Sequence, residues 1–314
     1  MNPEREVQPK FRIRELAAGL LLLAAIALWD LALARIPNRA EFGWRAARIE
    51  ARPLRLDSRA FAPLRLAGAW ELTSADPRFG GVSALAIDRG RLLALTDSGA
   101  LVRFSPRRQM AIIGELPGGP GDARFKRYRD SEALVRDPLG RGWWVAFENR
   151  HQLWLYDPGF RRALRRIDLG KRGWRANRGI EGAVAEGGAL LLVHEEGNHV
   201  LRVAGSRART LPIAHAGGRI SDAAAIGAGR SIAVERRASP IGFRNALVIL
   251  ERSGSGYRFG RRVALPLGPL DNVEAVAVER RAGGGLRLWL MTDDNFQPPL
   301  RTLLIALDWP APRQ

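Results

Sequence analysis

Beyond residue 64 the chain is a succession of short apolar runs broken by Gly, Pro, Asp and Asn, a pattern that predicts strands and turns with no long amphipathic helix. One unit of that pattern recurs five times. It opens on a polar residue, runs through a short Ala/Val/Leu strand, turns at Gly and returns through a second apolar strand that ends in acid. The first copy joins GGVSALAID (80–88) to LLALTDSG (92–99), and the second joins RDSEALVRD (129–137) to GWWVAFEN (142–149). The third joins RGIEGAVAEGG (178–188) to LLLVHEEGN (190–198), and the fourth RISDAAAIGAG (219–229) to SIAVERR (231–237). The last joins DNVEAVAVERR (271–281) to LRLWLMTDDNF (286–296). Opening positions 83, 132, 181, 222 and 274 lie 49, 49, 41 and 52 residues apart. Several short strands at a period of about 40–50 residues are the signature of a β-propeller.

Each copy reads as four strands; the second gives Asp130–Asp137, Trp143–Glu148, Gln152–Tyr156 and Leu164–Leu169. The last copy supplies only three, ending in Arg301–Trp309, and Leu64–Ser74 is available upstream as the fourth. Pairing these two segments would close the ring and remove exposed edges. The expected fold is an all-β propeller over residues 64–314 with five blades. A sixth is the alternative if the Pro- and Arg-rich linker at 35–63 hides a degenerate copy.

Ahead of the linker, Lys10, Arg12 and Arg14 precede a 14-residue apolar run, Leu16–Trp29. A bilayer span needs about 20 residues. Ala32-Leu33-Ala34 then offers a small-x-small cleavage pattern, so residues 1–34 are expected to be a secretory signal peptide. A retained membrane anchor is the alternative, and it would have to bury Asp30. Either route puts the body outside the cytoplasm, in the periplasm or held to the outer side of the inner membrane. Contact with the membrane is expected through this segment alone.

The absence of cysteine excludes disulfides, thiolate catalysis and Cys-ligated zinc. The net charge of +18 is carried almost wholly by arginine, since only Lys10, Lys126 and Lys171 are lysines. Such an arginine skew more often reflects a GC-rich genome than a function; read functionally, it attracts small anionic substrates or an anionic membrane surface. Nucleic acid is not expected, because no arginine block is interleaved with aromatics. The chain is expected to act as a monomer.

In a propeller the first strand of each blade starts at the mouth to which the second returns. The residues falling there are Ser83, Glu132, Glu181, Asp222 and Glu274 at the starts. At the ends lie Asp97, Glu148, Glu195, Glu235 and the pair Asp293–Asp294, with Asn177, Asn272 and Asn295 alongside. Carboxylates so crowded repel one another and raise each other's pKa. A hard cation such as Ca²⁺, which takes about six to eight oxygen ligands, would relieve that repulsion. Its candidate ligands are Asp97, Glu132, Glu148, Glu181, Glu195, Glu235, Glu274, Asp293, Asn272 and Asn295. Arg129, Arg178 and Arg219, each three residues before an opening acid, could instead neutralise the ring or bind an anionic substrate. The plainer alternative is that these acids and amides only cap strand ends in turns.

Other chemistries find less support. Ser83 lacks the second glycine of a nucleophile elbow. None of the four histidines has HExxH spacing, although His151 and His194 stay open as acid/base candidates beside mouth acids. Gly118-Gly119-Pro120-Gly121 lacks the lysine of a phosphate-binding loop, so it reads as a turn.

Several of these motifs resemble the bacterial "esterase-like activity of phytase" family. They are GGVSALAID (80–88), Asp-x-Glu-Ala-Leu at Asp130–Leu134, the stretch Glu148–His151 and Asn-x-Gly-Ile-Glu-Gly at Asn177–Gly182. The most specific are Asp-Asn-x-Glu-Ala at Asp271–Ala275 and Asp-Asp-Asn-Phe at Asp293–Phe296. Ala84 and Val273 depart from the family's usual Gly and Phe, and neither change removes a carboxylate. The resemblance implies a propeller and a metal-assisted phosphoesterase or esterase. The expected function is thus an exported hydrolase of anionic esters, phosphoesters among them, with Glu274, Asp293 and Asp294 as its central acids and His151 as an auxiliary one. A non-catalytic ligand- or protein-binding propeller of the envelope is one alternative; a calcium propeller of lactonase or arylesterase type is another.

Overall fold

The computed structural model describes residues 43–309 apart from 107, 124, 176, 215, 216, 241, 269, 270 and 283. The export segment expected at 1–34 lies outside the described residues. Among those described, no helix is long and apolar enough to cross a membrane.

Three strands lead in: β1 (Arg45–Arg48), β2 (Glu50–Pro53) and β3 (Arg65–Thr73). Antiparallel four-strand units then follow the sequence repeat. The first holds β4 (Val82–Asp88), β5 (Arg91–Thr96), β6 (Ala100–Ser105) and β7 (Arg108–Glu115). The second holds β8 (Ser131–Arg136), β9 (Trp143–Phe147), β10 (Gln152–Tyr156) and β11 (Ala163–Asp168). The third holds β12 (Ile180–Glu186), β13 (Ala189–His194), β14 (His199–Ala204) and β15 (Arg207–Ala214). The fourth holds β16 (Arg219–Gly227), β17 (Arg230–Ser239), β18 (Gly242–Ser253) and β19 (Gly256–Ala264). A short parallel pairing of β15 with β19 joins the third and fourth into one eight-stranded sheet. The last unit has β20 (Asn272–Arg280), β21 (Leu286–Asp293) and β22 (Leu303–Trp309), completed by β3.

The architecture is an all-β propeller. Its first strands succeed one another around the axis, β4 beside β8, then β12, β16 and β20, with β20 returning to β4. The closure is the pairing expected from sequence, with Leu303 opposite Glu71 and Ile305 opposite Ala69. The stretch read as a linker at 35–63 needs correction. Within it β1 pairs with β7 and β2 with β3, so both strands belong to the ring. Their sequences, RAAR and EARP, carry no apolar alternation; the open edges of β7 and β3 make them strands.

Polarity follows radius. All of β9 and β13 is buried, whereas β11 has no fully buried residue. A strand covered on both faces reads as a continuous apolar run, and one at the rim does not. Successive residues of a first strand feed different cores: Ala84 packs with Leu134, Trp143 and Val145 of the second unit, and Leu85 with Ala275, Trp289 and Met291 of the last. The period of two thus mortars each unit to both neighbours. The entry is clasped by Arg78, which is only 1% exposed. It bonds both Asp76 oxygens, at 2.9 and 2.7 Å, and the Gly43 carbonyl at 2.7 Å. Those guanidinium bonds outweigh burial and hold the Asp76 carboxyl far below its ordinary range.

Candidate functional site

Every first strand breaks register once near the mouth. Ser83, Glu132, Glu181, Ser221 and Glu274 are the residues skipped by the ladder, each between two regular pairs. A bulge bends its strand and re-aims one side chain. The residue just before the bulge pairs with the second strand at Thr96, Phe147, His194, Glu235 and Thr292 in turn. The next residue up reaches the mouth: Asp97, Glu148, Glu195, Arg236 and Asp293.

This register corrects the reading of the fourth unit, where both expected acids are one residue out of place. Its bulge residue is Ser221, not Asp222, and its returning strand brings up Arg236, not Glu235. The Ser221 hydroxyl donates to the Val273 carbonyl at 3.0 Å, just as Ser83 donates to the equivalent Ser131 carbonyl at 2.5 Å. Asp222 instead occupies the layer of Ala84, Ala133, Gly182 and Ala275. It is 2% exposed and accepts from the backbone N–H groups of Ala223 (2.7 Å), Val276 (2.8 Å) and Leu85. The layer is tight: a Cβ on Gly182 would lie 3.0 Å from the Ala223 nitrogen. Glu235 accepts from Gly218 N–H and from Arg237 and Arg262. Burial opposes its charge, but these donors outweigh it and lower its pKa.

The mouth is a cleft of about 800 Å³ lined by Asp97, Glu132, Glu148, Glu181, Glu195, Glu274, Asp293, Asn272 and Asn295. Four cations answer some of these acids. Lys126 lies 2.9 Å from Asp97 and 3.3 Å from Asp130; Arg178 and Arg219 share Glu195 at 3.0 and 3.1 Å. Arg236 pairs with Glu274, which also accepts from Asn272 at 2.6 Å. Among the described residues, Glu132, Glu148, Glu181 and Asp293 have no such ion pair. Oxygens of Glu148, Glu181 and Glu195 lie within 4.8 Å of one another, and so do those of Asp130, Glu132 and Glu148. Glu181 is 7% exposed, and its carboxylate has no hydrogen bond among the described residues.

Titration follows this division. Burial, then the repulsion of Asp130 and Glu195, pushes Glu148 up to about 8. Burial and Asp97 push Asp293 up to about 8. Glu132 and Glu181 are raised well above the usual range, first by burial and then by each other's neighbourhood of acids. Lys126 goes the other way: burial opposes its charge, but Asp97, Asp130 and Glu132 outweigh it and keep the ammonium protonated beyond the ordinary lysine range. Without a further cation, this mouth relieves its repulsion by holding protons.

Three expected site residues lie elsewhere. Asp294 accepts from Gly81 N–H (2.8 Å), Phe296 N–H (3.1 Å) and the Thr302 hydroxyl (2.9 Å), so it fastens the last unit to the first. Arg129 is buried and donates to the Gly118 carbonyl, away from the cleft. His151 turns away from the mouth; its ring packs edge-on to Trp174, centroids 5.7 Å apart. His194 also packs on Trp174, at 4.9 Å, and stacks on His199 at 4.6 Å. Lys126, Asp130, Arg236 and Arg237 are the mouth residues that sequence reasoning missed. Arg236 and Arg237 were visible as the end of SIAVERR; Lys126 sits on a single helical turn, Lys126–Arg129, outside the repeat.

The sequence matches the family described as "Phytase-like: Esterase-like activity of phytase" over residues 77–296. No curated protein matches it. Among solved structures, it is similar to Kuenenia stuttgartiensis hydrazine synthase at 13% identity and a TM-score of 0.40, covering 74% of this chain and 66% of that one. It is also similar to YCF48 bound to D1 peptide, at 13% identity and a TM-score of 0.42, covering 80% and 72%. A third is the β-propeller domain of Myceliophteria thermophila Cps50 (Swd1), at 11% identity and a TM-score of 0.37, covering 68% and 65%.

Proposed function

This chain belongs to the phytase-like family, esterase-like activity of phytase, and from that premise we propose that its mouth holds a hard cation beside which an anionic ester is bound and hydrolysed. The observation that carries the reading is Glu181, buried at 7% exposure with no side-chain hydrogen bond and no ion pair among the described residues. A buried carboxylate left in that state is costly unless it is protonated or coordinated. The donor set fits a hard cation such as Ca²⁺: it is all oxygen, with Glu148, Glu181 and Glu195 converging and Asp130 and Glu132 on the other side of Glu148. When bound, the cation supplies charge that polarises the ester.

The protein's own residues do the rest. Arg219 and Arg237, both largely exposed beside the acids, receive the anion, and Arg178 backs them. Asp293, whose carboxyl titrates near 8, holds a proton at neutral pH and can deliver it to the leaving oxygen. Glu274, already paired with Arg236, positions that arginine and is not the centre of the chemistry. A binding module is the second reading, favoured by the ion pairs that already engage Glu195 and Glu274.

The test is hydrolysis of 4-nitrophenyl phosphate and 4-nitrophenyl acetate by the full chain, with Ca²⁺ or with chelator. Calcium-dependent turnover that Glu181→Gln abolishes supports the reading, and the better substrate separates phosphoester from carboxylate-ester chemistry. No turnover of either ester in calcium gives the mouth to the binding module. Export is part of the same proposal: mass spectrometry of the exported fraction should find a chain beginning near Arg35, and an intact Met1 in the membrane pellet would establish an anchor instead.

A further inference from the structure

The fourth unit departs from the others at its middle hairpin. β17 and β18 have 10 and 12 residues, whereas β5 and β6 have 6 each, β9 and β10 have 5 each, and β13 and β14 have 6 each. In those units the chain turns at the mouth residue, as at Asp97-Ser98-Gly99. In the fourth the ladder continues past Arg236 through Arg237↔Arg244, Ala238↔Phe243 and Ser239↔Gly242. The extension stands along one side of the cleft and lines it with Arg236, Arg237, Ala238 and Phe243.

That wall differs chemically from the rest of the cleft, whose lining is otherwise charged or polar apart from Val82 and glycine. Phe243 is the one aromatic among the described lining residues, half-buried, with the Arg236 guanidinium 5.5 Å from its ring centroid. Gly218 lets the wall sit close, since a Cβ there would meet the Arg236 carbonyl at 2.8 Å and Arg237 Cγ at 2.7 Å. Cationic groups at the base and an aromatic face two ladder steps above Arg236 form a two-part receptor. A charged oxygen group would meet the arginines while a ring beside it lay against Phe243.

We propose that the β17–β18 hairpin is the specificity wall of the mouth and selects anionic esters with an aromatic group next to the charge, of the aryl phosphate class. This rests on the reading that the mouth takes an anionic ester, and it narrows the substrate. A phosphorylated polyol has no apolar face for Phe243 to cover.

The test uses two non-hydrolysable probes, phenylphosphonate and methylphosphonate, titrated calorimetrically into the full chain in the presence of Ca²⁺. Phenylphosphonate should bind about tenfold more tightly, the size of one added aromatic contact. Phe243→Ala should erase that preference while leaving methylphosphonate affinity unchanged, and Phe243→Tyr should keep it. Equal affinities in the unmodified protein, or equal weakening of both probes by Phe243→Ala, would overturn the wall and leave the anion-binding reading standing. Binding of neither probe would overturn that reading, and the wall with it.

Discussion

Arg236 of β17 forms an ion pair with Glu274 of β20 across the seam between the fourth and last units, and the pair withdraws Glu274 from the acids left to a cation. Arg236 stands where the other units carry Asp97, Glu148, Glu195 and Asp293, so one strand end in the ring has the opposite charge. Its charge also favours the ionised form of Glu181.

Removing that arginine should therefore expose Glu274. Arg236→Gln is expected to destabilise the metal-free protein by about 3 kcal/mol, the lower end for breaking a buried pair. Added Ca²⁺ should recover more stability in the variant than in the unmodified protein, because one more carboxylate becomes available. Urea melts with chelator and with calcium check both parts.

Asp222 has a different task. It caps three backbone N–H groups from three units, so Asp222→Ala should cost about 3 kcal/mol or more through the donors left unpaired. Its oxygens are engaged by these N–H groups and it does not line the cleft, so calcium affinity should be unchanged. A drop in affinity at unchanged stability, read by calorimetry and urea melts, would return Asp222 to the mouth.

The contrast between these two residues marks how far the sequence could be read. The repeat, the four-strand units and the closure by Leu64–Ser74 were legible, because alternation and period survive in every copy. In the fourth copy the acids Asp222 and Glu235 each lie one residue from the positions their counterparts hold. A one-residue slip in a strand turns a side chain to the other face, and a list of letters does not display it. The bulge at Ser221 sets the true register. Adjacent residues misled in the same way at Asp293–Asp294, where the first faces the cleft and the second fastens a turn. Lys126 was not legible at all, since no repeat position predicts a cation there.

The raised carboxyls also set a pH dependence. A group whose pKa is higher folded than unfolded adds stability below its unfolded value and loses it as pH rises through the folded one. Glu148 and Asp293, moved up to about 8, together with Glu132 and Glu181, should make the chelated protein less stable as pH rises from about 4.5 to 8. His194, lowered to about 4 by burial and by His199, acts oppositely between about 4 and 6.5. The carboxyls therefore stand alone above pH 7. Urea midpoints should fall from pH 7 to 8.5, and fall more in chelator than in calcium, where the coordinated acids no longer hold protons; a midpoint that rises over that interval in chelator contradicts the protonated mouth.

The most direct test of the account is thermal unfolding of the unmodified protein and of Glu181→Gln, each with Ca²⁺ and with chelator. A ligand at a hundredfold its Kd stabilises by about 2.7 kcal/mol, a rise of roughly 5–10 °C in Tm for a domain of this size. The account predicts such a rise for the unmodified protein. For Glu181→Gln it predicts a much smaller rise, together with a chelated Tm close to that of the unmodified protein, because glutamine then replaces a carboxyl that is already held neutral. Identical melting curves with calcium and with chelator, and a chelated Glu181→Gln that melts well below the unmodified protein, would contradict it.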